Sequence, residues 1–167
     1  MRFKTLNDQQ EQAVQYLKAL NEANVYRTIL LEGVTGSGKM EVFLHAIREV
    51  LMRGGTALVL VPEIALTDQT LFRFKERFGN RVALSHSRMS AKERQRLYMR
   101  AKNNEVSIII GPRSAVFMPL DNLKLIVVDE AHESSYKSET TPKYHAIDIA
   151  KKRMMQNKGQ VLLATAT

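Results

Sequence analysis

The sequence predicts an α/β fold with a mainly parallel sheet and helices on both faces. Three observations carry this expectation. Short, almost wholly apolar runs alternate with segments of helical periodicity, joined mostly by short turns. The first apolar run breaks into Gly33-Val34-Thr35-Gly36-Ser37-Gly38-Lys39-Met40, in which Gly33, Gly38 and Lys39 keep the spacing G-x-x-x-x-G-K of a phosphate-binding loop. A later run, Leu123 to Val128, ends in the adjacent carboxylates Asp129 and Glu130.

Bulk properties set the frame. A chain of 167 residues is the size of one domain and can bury a substantial core. There is no cysteine, which excludes disulfides and thiolate metal sites and fits a reducing, cytoplasmic setting. No apolar run approaches the length of a membrane span, and the residues after Met1 lack the apolar stretch of a secretory signal, so no membrane partner is expected. The net charge of +8 points to a polyanionic partner, nucleic acid first.

Taken in order, Asn7 to Leu20 has the spacing of an amphipathic helix, with Asn7 or Asp8 as its N-cap. Gln10 near its start offers a donor and an acceptor that suit an adenine edge; equally it is an ordinary solvated helix residue. Tyr26 to Leu31 reads as a buried strand feeding the glycine-rich loop, and Lys39 to Met52 as the helix after it. The loop's glycines let several N–H groups face one anion, and the helix start adds its positive dipole end. Lys39 is placed to reach the terminal phosphates of a nucleotide. Met40 stands where a Ser or Thr hydroxyl usually holds Mg²⁺, and a thioether is a poor ligand for a hard cation.

Thr56 to Val61 reads as a strand buried on both faces, ended by Pro62. Thr67 or Asp68 caps a helix to Phe78, with Arg73, Lys75 and Arg77 facing solvent. Val82 to Leu84 is a short strand, and His86 after it reads as a hydrogen-bonded loop residue rather than a catalytic base. Ser90 and Glu93 form a capping box opening a helix to Lys102. That helix carries Lys92, Arg94, Arg96, Arg100 and Lys102, either a solvated face or a nucleic-acid contact. Val106 to Ile110 is a strand ending in Gly111-Pro112-Arg113-Ser114, where Arg113 and the Ser114 hydroxyl suit a phosphodiester. Asp129 is placed to hold Mg²⁺ through water, and Glu130 to polarise an attacking water. Between Ser134 and His145, Tyr136, Lys137, Tyr144 and His145 interleave aromatic and basic groups, as base stacking requires or as an ordinary polar surface loop shows. Ala146 to Met155 reads as a helix and Gln160 to Ala164 as the last strand.

Together these motifs resemble the superfamily 2 helicases. They are most similar to the first RecA-like motor lobe, a P-loop NTPase lobe, of the PriA family of primosomal replication-restart helicases. The resemblance rests on Leu6-Asn7-x-x-Gln10, Gly33 to Lys39, Val61-Pro62-Glu63-Ile64-Ala65-Leu66-Thr67, Gly111-x-Arg113-Ser114-Ala115, Asp129-Glu130-x-His132, Ser134-Ser135-Tyr136-Lys137, Tyr144-His145-Ala146 and Thr165-Ala166-Thr167. It implies an ATP-dependent 3′→5′ DNA helicase of the bacterial cytoplasm, acting in fork restart and primosome assembly. ATP and Mg²⁺ are the implied cofactors; zinc belongs to another part of that family's full length.

The implied partners are single-stranded and forked DNA, a second motor lobe, primosome proteins and single-strand-binding protein. Gln10 would contact adenine, and His132, Thr165 and Thr167 would relay nucleotide state toward DNA. Thr67 and Arg113 would touch the strand, and Ser135 to His145 would link strand binding to hydrolysis. On this reading residues 1–167 are one ATP-binding lobe. The family's N-terminal DNA-binding region, second lobe and zinc-binding cysteines are outside it. Two alternatives stay open: another superfamily 2 DNA or RNA translocase, and a non-catalytic nucleic-acid-binding module with a degenerate nucleotide site.

Overall fold

The structure is a computed structural model that describes residues 6–33 and 36–165, with nothing given for the side chains of residues 36 and 37. Val34, Thr35 and Thr167, three of the expected site residues, lie outside the described residues. Elements follow in the order α1 (Asp8–Glu22), β1 (Arg27–Glu32), α2 (Gly36–Met52), β2 (Thr56–Leu60), α3 (Asp68–Phe78), β3 (Val82–Leu84), α4 (Ala91–Lys102), β4 (Ile108–Gly111), β5 (Leu123–Val128), α5 (Ala146–Asn157) and β6 (Gln160–Thr165). The six strands form one sheet in the order β1-β6-β5-β2-β4-β3, and every pairing is parallel.

Burial explains the arrangement. The central strands are apolar on both sides, so each face of the sheet must be covered. One face, with Val59, Ile110, Val127 and Leu162, packs against Val14 and Leu17 of α1, Phe43 and Ile47 of α2 and Phe74 of α3. The other, with Leu60, Ile109, Ile126 and Val161, packs against Leu97 and Ala101 of α4 and Ala150 and Met154 of α5. Helix ends are capped as the sequence suggested: Asn7 and Gln10 form a capping box, as do Ser90 and Glu93, and Thr67 caps α3. His145 caps α5, its Nδ1 accepting from Ile147 N–H at 3.2 Å.

One expectation is corrected. Arg77 does not face solvent. Its side chain is 6% exposed and makes a bidentate pair with Glu41 at 3.0 and 3.2 Å. Glu41 lies on the buried side of α2, so the guanidinium of α3 must come inward to neutralise it. The stretch from Ser134 to His145 is mostly exposed, as a polar surface loop would be, and carries two local ties. It starts in a 3₁₀ turn, Ser134–Tyr136, and an isolated bridge joins Lys137 to His145.

Candidate nucleotide site at the sheet's carboxyl edge

All strands run the same way, so β1, β2, β4, β5 and β6 deliver their following residues to one edge, where ligands bind in open α/β sheets. Gly33 leaves β1 with φ +73°, a conformation that favours glycine. Gly111 leaves β4 for a different reason: a Cβ there would sit 2.7 Å from Ala115 Cβ and 3.0 Å from Ser85 Cβ.

The centre of the site is Lys39. Its ammonium lies 2.8 Å from Asp129 Oδ1 and 2.6 Å from Glu130 Oε1. Lys39 is only 8% exposed. Burial pulls its pKa down, but the hydrogen bonds and charges of both carboxylates outweigh that, and the net shift is upward. The lysine is therefore held charged, joining the phosphate loop to the acidic strand end. Glu130 adopts φ +51°, in the left-handed region that side-chain-bearing residues rarely take. Strain of about 1–3 kcal/mol of this kind persists where the surroundings over-determine it, as they do at working sites. Asp129 Oδ1 also accepts Glu130 N–H at 2.9 Å, and Asp129 N–H donates to Leu60 carbonyl at 2.8 Å.

The other expected residues surround this centre. Gln10 donates from Nε2 to the Gly38 carbonyl at 2.9 Å, so it braces the loop that was expected to share a nucleotide with it. Gly38 and Met40 are half-buried, and Met40 packs against the core under α2. Ala131 N–H donates to the Ala164 carbonyl at 2.9 Å, and Thr165 pairs in register with Glu32, so the end of β6 lies between the acidic run and the phosphate loop. His132 is half exposed, 3.5 Å from Glu130 and 3.7 Å from Glu133. Thr67 and Ser114 are exposed at the same edge.

Tyr136 differs from expectation. It is fully buried, so its ring is not presented for base stacking. Its hydroxyl donates to the Leu60 carbonyl at 3.1 Å and to the Asp129 carbonyl, tying the ends of β2 and β5 together directly behind the carboxylates. Burial and the nearby acidic groups push its pKa far up, so it stays a donor. Arg113 is likewise occupied: its guanidinium donates to the Ser135 carbonyl at 2.9 Å and the Lys137 carbonyl at 3.0 Å. Lys137 itself is exposed, while Tyr144 is half-buried with its ring 5.0 Å from Phe117, edge to face. Sequence reasoning missed two further residues. Glu63 accepts from Ser87 Oγ at 2.6 Å, linking the turn after β2 to the loop after β3. Glu41 anchors α3; an acidic residue inside the apolar run Met40 to Leu44 was the available signal.

For Mg²⁺ the donors fit in part. Asp129, the carboxylate expected to hold it, is paired with Lys39, and position 40, where a hydroxyl ligand was expected, carries a thioether. Among the described residues no group of three or more His, Cys, Asp or Glu side chains is arranged to hold a metal. Any Mg²⁺ here must take most of its ligands from phosphate and water.

A family model described as DEAD/DEAH box helicase matches residues 7–167. The chain belongs to the DEAD/DEAH box helicase family. Helicase motors of this family run on ATP. The chain is 44% identical over 162 residues to the replication restart protein PriA of Bacillus subtilis, covering 97% of this chain and 20% of that protein. It is 46% identical over 164 residues to PriA of Chlamydia trachomatis, covering 98% and 22%. The chain thus spans about a fifth of the length of the curated relatives it matches. Its fold is similar to one in the structure of RecG bound to a three-way DNA junction, at TM-score 0.74 and 23% identity, covering 100% of this chain and 21% of that one. The UvsW helicase of bacteriophage T4 gives TM-score 0.62 and 17% identity, covering 96% and 52%. None of the helices among the described residues of this helicase domain is long and apolar enough to cross a membrane.

Proposed function

We propose that this helicase domain is the ATP-binding lobe of an ATP-dependent 3′→5′ DNA helicase acting in replication fork restart and primosome assembly. The observation that carries the reading is the pairing of Lys39 with Asp129 and Glu130 at the carboxyl edge of the sheet. The similarity to PriA proteins over nearly the whole chain supports the restart role.

On this reading the backbone from Gly33 to Gly38 and the start of α2 cradle the phosphates. Lys39 leaves the carboxylates and moves its charge to the nucleotide's terminal phosphates. That exchange frees Glu130 to orient and polarise the attacking water, and Asp129 to take a metal's water ligand. Mg²⁺, which Asp129 would hold through water, would supply charge neutralisation on the phosphates. Asp129, held by Leu60 and Tyr136 from behind, reports its position to the Arg113-clamped turn that faces the DNA side. Single-stranded or forked DNA is the proposed partner on that side. A second motor lobe, primosome proteins and single-strand-binding protein are proposed for the whole protein.

The test is equilibrium binding of a fluorescent ATP analogue to the 167-residue chain and its Lys39→Ala variant. Binding by the parent, lost in the variant while the fold is retained by circular dichroism, is expected. Equal binding by both would remove the nucleotide site from Lys39. Met40 favours a second reading, a nucleic-acid-binding module whose nucleotide site no longer turns over. Intact Lys39, Asp129 and Glu130 weigh against it.

A further inference from the structure

The nucleotide reading uses the carboxyl ends of the strands and leaves the outer sides of both edge strands, β1 and β3, unused. β3 is the sheet's last strand and pairs only with β4. Backbone groups alternate sides along a strand. The Arg81 carbonyl and Ser85 N–H are engaged by Ser107 N–H and the Ile110 carbonyl. The Val82 carbonyl and the Leu84 N–H and carbonyl therefore point away from β4.

That edge is the floor of a groove of about 310 Å³ between α3 and α4, the two helices that flank the sheet on opposite faces. Its apolar part comes from Leu71, Leu84 and Leu97, and its rim from Lys75, Arg96 and Arg100. The one carboxylate beside it, Glu93, is held in the α4 capping box by Ser90 N–H at 3.1 Å. Lys92, Arg94 and Lys102 extend the positive field along α4.

We propose that this groove receives a short, extended, acidic segment of a partner protein, which adds a strand to β3. Three features select that occupant. The free backbone groups of Leu84 match a strand, the aliphatic floor matches aliphatic side chains, and the cationic rim on both sides matches carboxylates. A second copy of this chain would bring its own cationic rim against this one. Nucleic acid would meet an aliphatic floor, and no aromatic ring lines the groove for a base to stack on.

The probe is a fluorescein-labelled peptide of alternating Asp-Asp and Val-Val pairs, so that each face of the added strand carries both residue types. Anisotropy should show saturable binding to the 167-residue chain. Backbone N-methylation of the central peptide residues should weaken it at least about tenfold, the loss of one or two main-chain hydrogen bonds. Arg96→Glu with Arg100→Glu should weaken it by at least as much. Amide exchange supplies a readout without a variant: Leu84 N–H should exchange more slowly with peptide bound. Absent binding, indifference to N-methylation, unchanged Leu84 exchange, or displacement by oligothymidylate of equal charge would each overturn the proposal. The last outcome would assign the groove to nucleic acid.

Discussion

Lys39 holds one ammonium between two carboxylates, and its pH response follows from that geometry. Burial lowers its pKa, hydrogen bonds and charge from Asp129 and Glu130 raise it, and the raising effects win. A group raised on folding contributes stability that is complete below its unfolded value, about 10.4 for lysine. The contribution is lost as pH climbs through the folded value. The urea midpoint of the parent should therefore fall more steeply as pH rises above about 10.4 than that of Lys39→Met, which lacks the titrating group. Parallel profiles would show that the pair contributes nothing to stability. Met40, one position on, bears on the proposed metal instead. Met40→Thr places a hydroxyl where the proposed metal would sit, and it should raise Mg²⁺-dependent ATP affinity by about tenfold or more, the scale of lesser changes around a bound metal. Isothermal titration with and without Mg²⁺ measures this. A variant whose affinity does not rise in Mg²⁺ would remove position 40 from the metal site.

At the scale of elements, α2 and α3 are joined by the buried pair Glu41–Arg77, with Arg73 at 3.7 Å and His45 at 3.8 Å from the same carboxylate. Arg77→Leu leaves that carboxylate without its bidentate partner, and should cost about 3 kcal/mol in urea unfolding. The double change Glu41→Leu, Arg77→Leu removes both charges and should recover most of that loss. A double variant as unstable as the single one would mean that the packing, not the charge, matters here. This tether also marks where the sequence stopped being legible. Strands and helices could be read because two periodicities and fully apolar runs are local signals. β3, β5 and the capped start of α4 fall where those signals put them. Helix ends drifted for physical reasons. α2 begins at Gly36, inside the phosphate loop, and α5 runs on to Asn157 because Lys158, at φ +55°, supplies the left-handed turn that glycine usually does. The phosphate loop and acidic run were legible because their chemistry fixes their spacing. Arg77 and Tyr136 were not. Arg77's partner lies 36 residues away, and the partners of the Tyr136 hydroxyl are backbone carbonyls, which leave no trace in sequence.

Across the whole molecule, the parallel sheet gathers many of the described candidate groups at one edge: Gly33 and Lys39 after β1, Thr67 beyond β2, Arg113 after β4, Asp129 and Glu130 after β5, and Thr165 at the end of β6. On the proposed reading that edge would supply a phosphate cradle, a water-orienting carboxylate and a metal-facing one. Among the described residues, Lys39 is the one lysine or arginine ion-paired with Asp129 or Glu130. Arg113, the arginine that follows β4, is bound to backbone carbonyls of the Ser134–Tyr136 turn and its neighbour Lys137. Arginines that stabilise phosphoryl transfer contribute roughly 10³–10⁵ in rate. On the proposed reading they come from a second lobe, so this chain should bind ATP yet hydrolyse it at least about a thousandfold more slowly than a whole two-lobed motor. The measurement is phosphate release by the purified 167-residue chain with and without single-stranded DNA, beside a longer chain of the relatives' length. Turnover by the short chain within about tenfold of the longer one would mean that the site is complete in one lobe, because a missing arginine costs far more than that.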